Sequence, residues 1–321
     1  MRPRNNPTTK MITATTIAVI ATTLLATGSA AALPGTGSAD TGSGGSKTKV
    51  VVIGLDGTMY QKIVEAKAPN LLKLAEQGTL GQSSIAPHTS ISGPSWATVL
   101  TGVWDTKHGI TNNNFDATPF IKYPTVFTQL EKAKPELTTE SIATWGPIAT
   151  IAGSNDPHAD LNIATPAQPD DPDEAKIDAA TATASAAAIA KDAPDFLFTH
   201  LDQVDEAGHA HGSASPEYLD AITRVDEQVG KIVAAVDTRA AANPKEKWQI
   251  IVTADHGHRP AGGHGGQSAD ETANFVIARG GSFKAGAKTK NSLVDITPTA
   301  LALLDVPASK DFDGTSMINA G

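Results

Sequence analysis

KVVVIGLDG, residues 49–57, is a run of β-branched and aliphatic side chains closed by Gly-Leu-Asp-Gly, and it restricts the fold more than any other stretch of the chain. A run without polar alternation suits a strand covered on both faces, and such strands belong to parallel sheets packed between helices. The next segment, APNLLKLAEQG (68–78), has helical spacing. Pro69 enters early, Leu71, Leu72 and Ala75 recur, and Gly78 is placed to close the helix as its C′ residue. Further strands are predicted at 140–144, at DFLFTHL (195–201), at WQIIVTA (248–254) and at ANFVIA (273–278). The clearest helix covers 215–236, with Ser215 as N-cap, Pro216 at the first helical position, and Leu219, Ile222, Val225, Val229, Ile232 and Val236 along one face. Strands alternating with helices predict an α/β fold, a three-layer sandwich whose mostly parallel central sheet is flanked by helices. Residues 152–175, rich in Asp, Pro and Ala, read as a surface excursion, and no internal repeat is present.

Two segments precede this body. Residues 1–32 carry Arg2, Arg4 and Lys10, continue through MITATTIAVIATTLLATG and end in the small-residue run SAAA, the layout of a secretory signal peptide. Threonines interrupt the apolar stretch, so removal is expected rather than a permanent anchor. The mature protein is then expected to be secreted or held in the cell envelope, with no stable membrane span. Residues 33–47, LPGTGSADTGSGGSK, read as a flexible linker, which leaves 48–321 as a single domain. The chain has 34 Asp and Glu against 25 Lys and Arg, a net charge of −9. Sequence-independent binding to polymeric nucleic acid needs a basic surface that releases counterions, so that class of partner is not expected. Cysteine is absent, so stability outside the cell must come from an ordinary core or from bound metal.

Ligands of open α/β sheets bind beyond the carboxyl ends of the strands, so the residues just past each strand carry the functional information. Asp56 follows the first strand. The strand at 195–201 runs into HLDQVDEAGHAHG (200–212), where Asp205 and His209 are one helical turn apart. The strand at 248–254 runs into TADHG, giving adjacent Asp255 and His256, and His264 follows in GGHGG. Taken singly, each has an ordinary reading as a turn or helix-start residue. Together they form the mixed oxygen and nitrogen donor set that zinc and similar cations take, and two divalent ions side by side is the natural partition. Upstream, TSISGPSWATVLTGVWDTKHGI (89–110) sets Ser90, Ser92 and Ser95 around a Gly-Pro pair. Each of these hydroxyls could cap a helix or do chemistry.

In order, VVIGLDG, SGPSWATVLTGVWDTKHGI, LDQVDEAGHAHG, TADHG, HGGQS and VDITPTALALLDVP…FDGTSM cover about residues 49–317. This ordered set resembles the alkaline phosphatase superfamily, and within it the nucleotide pyrophosphatase/phosphodiesterase-like branch. The resemblance implies an alkaline phosphatase-like catalytic domain with two divalent metal ions, zinc first, with manganese or magnesium as alternatives. It assigns Asp56, Asp255, His256 and the nucleophile to one ion, and Asp205, His209 and His264 to the other. It places the nucleophile at Ser92, with Ser90 and Ser95 as the alternatives. A helix N-terminus offers N–H groups to an anionic oxygen, and a bound cation lowers a hydroxyl pKa, so the position suits the role. Ser95, Asn112 and Asn114 are candidate substrate contacts.

The function implied is a secreted phosphoester hydrolase of the phosphodiesterase or nucleotide pyrophosphatase type, acting on a small phosphoester or nucleotide-like substrate. Three alternatives stand beside it. A monoesterase usually holds the free phosphate oxygens with an arginine, which near Ser92 would have to arrive from elsewhere, as Arg259 could. A sulfatase carries a C/S-x-P-x-R signature, whereas here Trp96 occupies the arginine position and cysteine is absent. A metal-containing binding module without turnover is the third. His88, His158, His200, His211 and His258 read as loop or supporting residues, His108 as packing, and Asp202 as a residue that orients a ligand. No sequence pattern bears on oligomeric state.

Overall fold

Eight strands form one sheet in a computed structural model that describes residues 47–318. The expected signal peptide and all of the linker but Lys47 lie outside the described residues. Lys47 already belongs to the first strand, paired with Glu246. The strands are β1 (Lys47–Leu55), β2 (Thr79–Ser84), β3 (Thr139–Ala143), β4 (Leu161–Ala164), β5 (Phe196–Leu201), β6 (Glu246–Thr253), β7 (Ala273–Arg279) and β8 (Ala287–Thr289), in the order β4-β3-β5-β1-β6-β7-β2-β8. The helices are α1 (Tyr60–Glu65), α2 (Pro69–Gln77), α3 (Ser92–Thr101), α4 (Asp105–His108), α5 (Pro119–Lys122), α6 (Val126–Ala133), α7 (Pro147–Ala152), α8 (Ala175–Lys191), α9 (Gln203–His211), α10 (Pro216–Ala242) and α11 (Ile296–Leu303). From β4 to β6 neighbouring strands are parallel; β7 runs antiparallel to both β6 and β2.

β1 shows why its apolar run does not alternate. Val51, Ile53 and Leu55 enter a core shared with α2, α8 and α10, while Val50 and Val52 enter a second core shared with α3, α6, α7 and α11. Every β1 side chain from Val50 on is therefore buried, each such aliphatic contributing roughly 1.5–3 kcal/mol. The result is the three-layer α/β sandwich expected for an alkaline phosphatase-like chain. Among the described residues, no helix is long and apolar enough to cross a membrane.

Local departures from the sequence reading have physical causes. Gly78 does not close α2 in a left-handed conformation; its φ of −131° and ψ of −159° are extended and lead directly into β2. A Cβ at Gly78 would stand 2.2 Å from the Ala278 carbonyl oxygen, so glycine is required there by the close approach of β7. α10 starts as read, with the Ser215 hydroxyl accepting from Tyr218 N at 3.1 Å, but continues past Val236 to Ala242. Arg239 clasps Glu246 at the start of β6 (Nη2 to Oε1, 2.7 Å) and ties that extra length to the sheet. The excursion at 152–175 contains β4, a four-residue edge strand.

This topology prepares a site. β5, β1 and β6 are adjacent and parallel, and Gly54 is in register with His200 on one side and Thr253 on the other. Neighbouring strands lie about 4.8 Å apart. Asp56, Asp202 and Asp255 consequently leave the sheet side by side.

Candidate active site

Asp56 donates its N–H to Leu201 O at 3.0 Å as the chain leaves the sheet. Its Oδ2 accepts from the Trp96 indole N–H at 2.7 Å and lies 3.0 Å from His200 Nε2. Its Oδ1 faces Ser92 Oγ at 3.5 Å and His256 Nε2 at 3.5 Å. Ser92 opens α3 and Trp96 stands one turn further on, so positions i and i+4 of one helical face reach the same carboxylate. Burial raises the Asp56 pKa, but the hydrogen bond from His200 and the field of His256 hold it below the usual value.

Asp255 and His256 complete this side. Asp255 Oδ1 accepts from Gly57 N (3.0 Å) and His256 N (2.9 Å). Burial, with the fields of Asp56 and Asp205, pushes the Asp255 carboxyl well above the usual range. Burial, with His264 alongside, pushes His256 down to about 3. Ser92 Oγ lies 3.3 Å from His256 Nε2.

The second side is carried by α9 and the glycine-rich loop after β6. Asp205 Oδ2 lies 3.2 Å from His209 Nε2, and His209 Nε2 lies 3.0 Å from His264 Nε2. His264 Nε2 is 3.8 Å from Asp205 Oδ1, and its Nδ1 is 2.8 Å from Ser90 O. Burial raises the Asp205 pKa, yet hydrogen bonds from His209 and His258 hold it well below the usual value. The bond to Asp205 raises His209, and burial lowers His264. The imidazoles of His256 and His264 stack at 3.8 Å, which joins the two sides.

The donors fit a divalent cation. Asp205, His256, His258 and His264 bring one ligand atom each within 4.8 Å of one another; so do Asp56, Asp255 and His256, and so do Asp56, His200 and Asp202. Among the described residues, the ion-pair partners of Asp56, Asp205 and Asp255 are all histidines, with no lysine or arginine to balance the charge. Asp255 Oδ2 is buried without a hydrogen bond although His256 Nε2 is only 3.2 Å away. Two lone pairs converging at that spacing match two ligands of one tetrahedral ion, whose ~2.0–2.1 Å bonds set ligands about 3.3 Å apart. His264 Nδ1 faces a carbonyl, which only accepts, so Nδ1 carries the proton and Nε2 presents its lone pair to the site.

The family model described as type I phosphodiesterase / nucleotide pyrophosphatase matches residues 50–311. The chain belongs to this family. An uncharacterized pyrophosphatase/phosphodiesterase of Schizosaccharomyces pombe is 28% identical over 231 residues, 67% of this chain and 45% of that protein, so the chain spans about half the length of that relative. Murine ectonucleotide pyrophosphatase/phosphodiesterase 5, solved in an inactive form with AMP, superposes with a TM-score of 0.67 at 15% identity, over 84% of this chain and 98% of that one. A mutant of alkaline phosphatase PafA gives a TM-score of 0.66 at 11% identity, over 83% and 98%. This phosphodiesterase-family chain thus has the alkaline phosphatase fold.

In this family member the structure brings Asp56, Ser92, Asp205, His209, Asp255, His256 and His264 together. The other candidates have partners of their own. The Ser95 hydroxyl donates to Thr89 O at 3.1 Å, and Asn112 Oδ1 accepts from the backbone N–H of Asn114 at 2.8 Å. Asn113 takes the place next to Ser92, its Oδ1 accepting from Gly93 N at 2.7 Å. Nothing in three consecutive asparagines distinguishes the middle one. Ser90 anchors the His264 loop, donating to Gly266 O (2.7 Å) and accepting from Gly265 N (3.2 Å). Arg259 turns to Gly263 O (3.4 Å) and Glu271 (3.6 Å). His258, read from sequence as a supporting residue, lies against Asp205 Oδ1 at 2.6 Å. Its spacing from His256 was a usable signal, because alternate residues of extended chain share a side.

Proposed function

We propose that this chain is a secreted hydrolase of phosphodiesters or phosphoanhydrides in small, nucleotide-like substrates, with Ser92 as nucleophile and two divalent cations, zinc by donor type. The observation that carries the reading is Ser92 Oγ at the first residue of α3, 3.3 Å from His256 Nε2 and 3.5 Å from Asp56 Oδ1. Asp56, Asp255, His256 and Ser92 would hold one cation, and Asp205, His209 and His264 the other. Bound there, the cations supply Lewis acidity, lowering the hydroxyl pKa and neutralising charge on the phosphoryl and leaving oxygens.

The residues of the chain do the rest. Ser92 Oγ bonds to phosphorus in line with the leaving oxygen, whose bond to phosphorus breaks, and water then cleaves the phosphoserine ester to regenerate the hydroxyl. Trp96 and His200 hold Asp56 by Oδ2, which keeps Oδ1 toward Ser92. Asn113 is fixed by Gly93 N, and its NH2 group is a donor for a phosphoryl oxygen. The engagement of Arg259 by Glu271 supports diesters over monoesters, whose extra free oxygen calls for a cation such as arginine. Secretion rests on the pattern of residues 1–32.

Ser92→Ala tests the proposal. Cation content should persist while hydrolysis of bis-(p-nitrophenyl) phosphate falls by orders of magnitude. Turnover near that of the unaltered protein would remove Ser92 from the role. Absence of turnover by the unaltered, cation-loaded protein on diesters, monoesters and pyrophosphates alike would favour a binding module.

A further inference from the structure

His258 is 0% exposed, and no polar contact with substrate is open to it. Its ring fills a space cleared by two glycines. A Cβ at Gly57 would stand 2.7 Å from His258 Nε2, and one at Gly208 would stand 2.5 Å from Cδ2. Gly208 lies inside α9, where glycine costs about 1 kcal/mol relative to alanine, so the helix gives up stability at the position that admits this ring. Ser213 Oγ fixes the backbone behind it by donating to His258 O at 2.9 Å. His258 Nδ1 is buried without a partner, and Nε2 lies 2.6 Å from Asp205 Oδ1.

We propose that His258 is a positioning residue that donates its Nε2–H to Asp205 Oδ1 and thereby presents Asp205 Oδ2 to the cation held with His209 and His264. The inference rests on the two-cation reading above. Distance separates this role from direct ligation. Two ligand atoms on one tetrahedral ion stand about 3.3 Å apart, and the pairs Asp205–His209 at 3.2 Å and His209–His264 at 3.0 Å come near that value. The His258–Asp205 separation of 2.6 Å is too short for two ligands of one ion and suits a charge-assisted hydrogen bond. Placing the proton on Nε2 leaves Nδ1 as a bare acceptor, which is cheaper to bury unpaired than an N–H group. The bond engages one carboxylate oxygen and leaves the other, beside His209, free to ligate. A partner of this kind typically raises cation affinity about 10–100-fold.

Zinc affinity and stoichiometry, measured by competition with a chromogenic chelator, test the assignment on the unaltered protein, His258→Ala, His258→Gln and Gly208→Ala. His258→Ala should weaken one of two zinc equivalents by about 10–100-fold, and His258→Gln, whose amide nitrogen reaches close to the imidazole Nε2 position, should restore most of the loss. Gly208→Ala keeps every polar atom and displaces only the ring, so it should weaken the same equivalent; it serves as the reading if His258→Ala does not fold. Equal affinities in all four proteins would overturn the proposal, and so would loss of a full equivalent in both His258 variants, which would make His258 a ligand. An unaltered protein that binds no zinc or other divalent cation would overturn the two-cation reading, and this assignment with it.

Discussion

The two oxygens of Asp56 face different surroundings: Oδ2 is held by two ring N–H groups from separate elements, and Oδ1 looks onto the Ser92 hydroxyl. Trp96 belongs to the core as well, edge-on to Phe198 at 5.8 Å and to His200 at 4.9 Å. Trp96→Phe should keep most of that packing and remove one donor from a buried carboxylate, a loss typically near 1–3 kcal/mol. The expected outcome is a melting temperature lower by several degrees in chelator, together with weaker zinc binding. If both quantities stay at the values of the unaltered protein, His200 alone suffices to orient Asp56. Ser90 illustrates the same economy of roles, since its hydroxyl and its carbonyl together seat the loop that carries His264.

At the scale of elements, α9 carries two proposed cation ligands yet has no cap of its own, because Asp202 at its N-cap makes no side-chain bond to the helix. Asp178 on α8 supplies the cap, accepting from Asp202 N at 2.9 Å and Gln203 N at 3.0 Å, with Thr144 Oγ1 at 2.7 Å. Burial pushes Asp178 up to about 6. The folded value lies above the unfolded one, near 3.9, so the stability this group contributes is fully present below about pH 4 and is lost as pH rises through its folded pKa. Linkage makes the swing about 3 kcal/mol. Asp178→Asn keeps an acceptor for the helix N–H groups, can donate to Thr144, and cannot ionise. Urea unfolding of the metal-free proteins should therefore show the unaltered protein losing stability relative to Asp178→Asn between pH 4.5 and pH 7. A difference between the two that does not change across that window would refute the assignment.

Across the whole molecule, the central parallel strands deliver Asp56, Asp202, Asp205 and Asp255 to one end of the sheet, with histidines as the nearby partners of the site carboxylates. A chain of net charge −9 that concentrates carboxylates in this way gains from any divalent cation bound to the folded state alone. At a free concentration 100-fold above Kd the gain is about 2.7 kcal/mol. Excess chelator should lower the melting temperature and abolish phosphodiester hydrolysis, and added zinc should restore both. Unchanged hydrolysis after verified removal of metal would count decisively against a cation-dependent site.

The sequence by itself determined what local physics controls. An unbroken apolar run implied a strand buried on both faces, Ser215 and Pro216 marked the start of α10, and strand-end carboxylates and imidazoles marked where a ligand belongs, because periodicity, capping and donor type act over a few residues. Only the tertiary structure decided the rest. β2 is largely polar and β4 is only four residues long, and they become strands because β7 and β3 complete their hydrogen bonds. His200 and Asp56 are 144 positions apart, and His258 and Asp205 are 53 apart. Strand order and register bring each pair into contact, and the space for His258 exists only where Gly57 and Gly208 approach it from two different elements. Contacts of that kind depend on how packed layers meet, which no spacing along the chain encodes.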